Sequence, residues 1–212
     1  MDRLETIVEE IRAEFEAKNA RRDEALRRSR TLIRDCANAI RAAHRGDFAE
    51  SQTLLATAGE AACEMSADLE GYPDLYHAGY TQDALKEYVE ARAVYAFITD
   101  GDLPTPVELG VESAAYLKGL AEAASEMRRH ALDLMRHNRL ERAEAMQDIM
   151  EDVYSQLMTV DFPDAITGGL RRTTDMLRGV VERTRGDLTT AFRQEMMRQA
   201  LRDFEERVGM EA

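Results

Sequence analysis

The run LKEYVEARAVYAF, residues 85–97, places two glutamates three positions apart in a segment that is otherwise mostly apolar. On a helix, positions i and i+3 share a face, so Glu87 and Glu90 point the same way and Ala91, Val94, Phe97 and Ile98 continue that face. Two like charges on an apolar wall repel each other and resist desolvation, at a cost of several kcal/mol per buried ion unless a cation or a proton compensates. The run therefore predicts a buried helix and a missing positive charge.

Composition extends the helical reading to the whole chain. The 212 residues include only four prolines and twelve glycines, no tryptophan, and abundant Ala, Glu, Arg, Leu and Met. No segment alternates with the period of a strand and no internal repeat is visible. Helical patterns run from about residue 3 to Arg45, from an Asp47–Glu50 capping box towards Gly71 and Pro73, and from Thr81 as an expected N-cap to the turn TDGDLPTP at 99–106. Others span about Glu112–His137, Arg139–Val160 and, after DFPDAITGG at 161–169, a last stretch to about Val208 with Gly179 and Gly186 as weak points. The expected fold is all-α, a bundle of six to seven helices in a single domain, 1–212.

Charge and cysteine content narrow the function classes. The start MDRLETIVEEIRAEF is charged and amphipathic, unlike a signal peptide, and no apolar run approaches membrane-spanning length, so a cytoplasmic protein is expected. Cys36 and Cys63 lack metal-ligand spacing and read as small packing residues. Net charge is −13, yet only three of the 28 basic residues are lysine. Such an acidic, arginine-using chain fits adaptation to high salt, or a GC-rich genome. The segment TDGDLPT mimics an aspartate-nucleophile signature, but that chemistry needs a strand end in an α/β fold, and here it reads as a loop.

A second acidic pair, Glu122 and Glu126, lies in YLKGLAEAASEMRRHALDLM. Beside Lys118, Arg129 and Asp133 this pair by itself reads as a solvated stripe. Were the two helices neighbours, four carboxylates would converge, and an oxygen-only donor set favours Mg²⁺ or Mn²⁺ over zinc or iron. Such an ion would supply the missing charge and activate water for phosphodiester attack. A di-iron bundle competes, but it requires Glu-x-x-His pairs, and Asp74 with His77 or Glu126 with His130 match that poorly.

Within RRDEALRRSRTLIRDCANAIRAAHR, residues 21–45, eight arginines face three acids, a local charge of +5 in a chain of net −13. Arg27, Arg30, Arg34, Asn38, Arg41 and Arg45 advance by three or four and form one stripe, with Leu26, Ile33, Ala37 and Ile40 on another. A solvated face is the ordinary reading of such a stripe, but a row of one sign suits a phosphate backbone.

These segments together resemble the translin/Trax family. SRTLIRDCANAIRAAHR, with its closing His44–Arg45, FITDG, the Tyr-Leu-x-Gly-Leu run at Tyr116–Leu120, Glu126–Arg128 and LRRTTDMLRGVVE at 170–182 follow the family's order over nearly the whole chain. The resemblance implies an all-helical protomer that assembles into a hollow homo-oligomer, an octamer, and binds single-stranded RNA or DNA. HAGYTQDALKEYVEA, 77–91, is similar to the Trax branch, whose acidic cluster performs Mg²⁺-dependent RNA cleavage. On that match Glu87, Glu90, Glu122 and Glu126 are the catalytic and metal-binding residues, and Arg27, Arg30, Arg34, Arg41 and Arg45 hold phosphates. Charge adds the expectation of a salt-adapted archaeal member. Two departures stand out: Glu122 where Trax has aspartate, an extra methylene that shifts a ligand by about 1 Å, and Lys118, placed to pair with Glu122 instead of metal. The rival implication is a non-catalytic, translin-like binding oligomer, and hetero-assembly with a paralogue is compatible with either.

Overall fold

The computed structural model describes residues 2–209. Among them there are nine helices and no strand: α1 Asp2–His44, α2 Phe48–Asp68, α3 Pro73–Tyr76, α4 Gly79–Thr99, α5 Pro106–Leu109, α6 Ser113–Arg136, α7 Leu140–Leu157, α8 Asp164–Thr167 and α9 Leu170–Val208. Six are long, as the periodicity predicts. The other three are single turns of four residues, each with proline at its first position or immediately before it, too short to register as a hydrophobic period. The chain forms two compact units that divide after Leu120, inside the uninterrupted α6.

In the first unit α1 packs on α2 and α4. The inward stripe of α1 is Ala25, Ser29, Leu32, Cys36, Ala39 and Ala43, and that of α2 is Ser51, Leu55, Ala58, Ala62 and Met65. Both advance in steps of four and three, the spacing of a helix–helix seam. The mostly small side chains let the backbones approach closely, while fully buried Leu32 and Met65 each contribute roughly 1.5–3 kcal/mol through apolar burial. Of the stripe read from sequence as apolar, Ile40 is buried and Leu26, Ile33 and Ala37 are half-buried; the small-residue stripe beside it faces inward because it admits the neighbours.

Local chemistry fixes the ends. Gly46 takes φ +78, which a side chain would strain, and Asp47 caps α2 by accepting the Glu50 N–H at 3.1 Å. Arg28 spans the α1–α2 seam, reaching Glu64 at 2.7 Å and Asp68 at 2.9 Å. Thr81 is not an N-cap: α4 starts earlier, at Gly79, and the buried Thr81 hydroxyl donates to the Leu75 carbonyl at 2.8 Å. α4 is the central helix of this unit, with eleven buried residues including Ala91, Val94, Phe97 and Ile98, the face predicted from 85–97.

In the second unit α7 and α9 pair. α9 turns Leu170, Thr174, Leu177, Val181, Thr184 and Leu188 inward, and Arg185 bridges to Glu151 at 2.7 Å. Gly179 and Gly186 do not break α9. No described helix is long and apolar enough to cross a membrane.

Candidate functional site

Glu87 and Glu90 are half-buried, set between the buried Tyr88, Val89 and Ala91. The cation at Glu87 is the residue beside it: Lys86 Nζ lies 3.2 Å from Glu87 Oε1, with side-chain exposures of 14% and 27%. Across from α4, Cys36 of α1 has its thiol pushed well above the ordinary range, by burial first and then by Glu87, Asp35 and Glu90. The thiol stays protonated and adds no further negative charge beside the acids.

The start of α6 meets α4 at this register. A Cβ on Gly119 would lie 2.6 Å from the Lys86 carbonyl oxygen and 2.7 Å from Val89 Cβ, so only glycine lets the two backbones come this close. Tyr116, one turn earlier, donates from its hydroxyl to the Pro104 carbonyl at 2.9 Å. The Tyr-Leu-x-Gly-Leu run is therefore an anchoring device, with its tyrosine on the preceding loop and its glycine on α4.

Glu122 follows Gly119 by three residues, hence on the same side of α6. Glu87, Glu90 and Glu122 are all half-buried, and each offers a carboxylate oxygen within 4.8 Å of the others. Glu126 is also half-buried, with an oxygen 3.7 Å from Arg129, and falls outside that group. The pair on α6 is thus not the solvated stripe its neighbours suggested: Ala121, Ala123, Ala124 and Met127 around it are buried. Oxygen ligands of one Mg²⁺ stand at most about 4.2 Å apart, twice the usual metal–oxygen distance, so small side-chain rotations would gather three such oxygens on one ion. The donor set of three carboxylates fits a hard divalent cation.

Lys118 is half-buried and makes no ion pair among the described residues, so the lysine beside the acids is Lys86. Asp74 binds Lys18 at 2.5 Å and His77 is exposed against Tyr76, and neither belongs to a group of three metal-ligating side chains among the described residues. Arg27, Arg30, Arg34, Arg41 and Arg45 are all exposed. Arg27 is held bidentately by Glu24, whose carboxyl is lowered to about 2 by Arg27 and then Arg28. Arg45 pairs with Glu50 at 2.7 Å, Arg41 donates to Asn38 at 2.5 Å, and Arg34 reaches Asp35 only at 3.5 Å. Arg30 has no ion pair among the described residues, leaving Arg30 and Arg34 the least committed of the stripe. Lys86 and Gly119 escaped the sequence reading as site residues. A lysine next to a glutamate is too common to notice, and a glycine's close approach is visible only in three dimensions.

No family profile matches the chain. An uncharacterized protein of Methanocaldococcus jannaschii is 33% identical over 187 residues, covering 87% of this chain and 82% of that protein. The crystal structure of AfC3PO is similar at a TM-score of 0.82 and 33% identity, over 89% of this chain and 98% of that one. A complex of AfC3PO with duplex RNA gives a TM-score of 0.77 at 32% identity over the same shares. Apo-NeC3PO gives 0.79 at 22% identity over 87% and 96%, a likeness of fold.

Proposed function

This chain belongs to the translin/Trax family, and on that premise we propose that it binds single-stranded RNA or DNA and cleaves RNA as a Mg²⁺-dependent endoribonuclease, acting as one translin/Trax-like domain over 1–212. The observation that carries the reading is the group of three half-buried carboxylates, Glu87, Glu90 and Glu122, gathered where Gly119 admits α6 to α4. These residues would hold Mg²⁺ or Mn²⁺, with Glu126 one turn further along α6. The bound ion supplies Lewis-acid polarisation and lowers the pKa of a water. The buried residues on either side leave the carboxylates' field less screened than at an open surface. Binding to duplex RNA by AfC3PO supports a nucleic-acid ligand here. The deciding assay incubates labelled single-stranded RNA with the purified protein in Mg²⁺ and in chelator, duplex RNA alongside. Cleavage of the single strand in Mg²⁺ alone is expected; binding without cleavage in either tube would establish the non-catalytic alternative, which the occupied Glu87 favours.

Arg30 and Arg34 are the sharpest test of where phosphates sit. Charge reversal at both should weaken binding of unrelated single-stranded RNAs about equally, and lower the slope of log affinity against log salt by roughly 0.7 per lost phosphate contact. Loss confined to particular sequences, or none, would return the stripe to a solvated face.

The partner is a second copy of the chain. The first part of α1 exposes Leu4, Val8, Ile11 and Phe15, and the end of α9 exposes Met197, Leu201, Phe204 and Val208, both in steps of four, three and four. Such seams on single helices need a helical partner. Light scattering in high salt should find a homo-oligomer near eight subunits, and Ile11→Glu with Phe15→Glu should shrink it. A wild-type monomer would overturn the assembly. A related paralogue would use the same seams, and a cytoplasmic, salt-adapted setting completes the proposal.

A further inference from the structure

We propose that Lys86 is a resident counter-cation of the acidic group, holding Glu87 until a divalent ion displaces it and thereby setting how tightly the protein binds that ion. The inference rests on reading Glu87, Glu90 and Glu122 as a Mg²⁺ site. Adjacent residues on a helix diverge by about 100°, so Lys86 and Glu87 do not meet by register alone. They meet because the lysine stem bends to bring Nζ to 3.2 Å of Glu87 Oε1 with only 14% of the side chain exposed. The backbone beneath it is pinned as well, since the Lys86 carbonyl is the atom against which Gly119 of α6 closes. The ammonium therefore cannot leave by moving the helix; it leaves by swinging its four-carbon stem.

Lysine suits that exchange. Its ammonium is a compact point charge on a flexible stem, whereas a guanidinium would grip the carboxylate through two parallel hydrogen bonds and be harder to displace. The single charge of the Lys86 ammonium quiets the repulsion around Glu87 and remains displaceable by a doubly charged ion. The fold can thus form before metal arrives, and a divalent ion still gains on binding.

The test measures Mg²⁺ affinity calorimetrically, and as the rise in melting temperature over chelated protein, for wild type, Lys86→Met, Lys86→Gln and Lys86→Arg. Methionine keeps the stem and removes the charge. Lys86→Met and Lys86→Gln should bind Mg²⁺ about ten-fold more tightly, Lys86→Arg no more tightly than wild type, and both neutral variants should melt lower than wild type in chelator. In a Glu87→Gln background that chelator-only loss should shrink, because the ion pair of Lys86 with Glu87 is gone. Equal Mg²⁺ affinity in wild type and the neutral variants would overturn this inference while leaving the metal site intact. Absence of any Mg²⁺-dependent shift in every protein would overturn the metal reading and this inference with it.

Discussion

Glu87→Gln combined with Glu90→Gln is expected to abolish the proposed Mg²⁺-dependent RNA cleavage in a protein that still folds and still binds RNA. Two of the three gathered carboxylates lose their charge in that variant and keep their shape. Loss of residues that merely orient metal ligands commonly costs 10–100-fold, so removal of two ligands should lower cleavage by more than ~100-fold. RNA affinity should hold or rise, because the arginine stripe on α1 is untouched and two negative charges no longer oppose phosphate. Stability is a balance of opposed terms. The variant forfeits the ion pair of Lys86 with Glu87, which is partly solvent-screened and hence modest, and it gains relief from the repulsion between the two carboxylates. A melt in chelator should therefore sit near that of wild type, and the Mg²⁺-dependent rise should vanish. A strongly destabilised variant, with no Mg²⁺ effect on wild type, would identify the carboxylates as members of a structural ion network.

How much of this was legible beforehand depends on range along the chain. The face of α4 read correctly from 85–97 because one helix's periodicity is a local property, and the burial of Ala91, Val94, Phe97 and Ile98 follows it. The turn at Gly46 and Asp47 was equally local, a positive φ followed by a side-chain cap. Thr81 misled because threonine has two uses near a helix start. Its hydroxyl can cap the first turn or satisfy a carbonyl of the preceding segment, and only the fold of 73–79 decides that it serves Leu75. The α6 acids misled for a related reason. Lys118, Glu122, Arg129 and Asp133 share a stripe that polarity alone assigns to water, yet Glu122 is half-buried, because burial on a helix is set by what approaches it. The family resemblance pointed to the four carboxylates together. It could not foresee that Glu126 lies outside the tight group, or that the longer Glu122 reaches within 4.8 Å of Glu87 and Glu90 despite standing where aspartate was expected.

Gly119→Ala should damage the site as severely as losing a ligand, although the side chain it adds carries no chemistry. The new methyl carbon would lie 2.6 Å from the Lys86 carbonyl oxygen and 2.7 to 2.9 Å from Val89 carbons, contacts that backbone and β-branched atoms cannot relieve by rotating. The helices must separate, and overpacking of this kind costs about 1–3 kcal/mol, or roughly 2–4 °C of melting temperature per kcal/mol for a protein of this size. Separation also carries Glu122 away from Glu87 and Glu90, and a displacement of about 1 Å at a reacting centre is worth ~100-fold in rate. Two other glycines supply the controls. At Gly59 the added carbon would meet the Tyr88 hydroxyl at 2.8 Å, the movable end of a side chain, so Gly59→Ala should destabilise less and leave Mg²⁺ affinity unchanged. At Gly186, in mid-helix with nothing within 4 Å, alanine should stabilise α9 by up to about 1 kcal/mol through helix propensity. The order of melting temperatures should therefore run from Gly186→Ala at the top to Gly119→Ala at the bottom, with Mg²⁺ affinity and cleavage lost only in the last. A Gly119→Ala protein that melts, binds Mg²⁺ and cleaves like wild type would mean that the approach of α6 to α4 does not build the site.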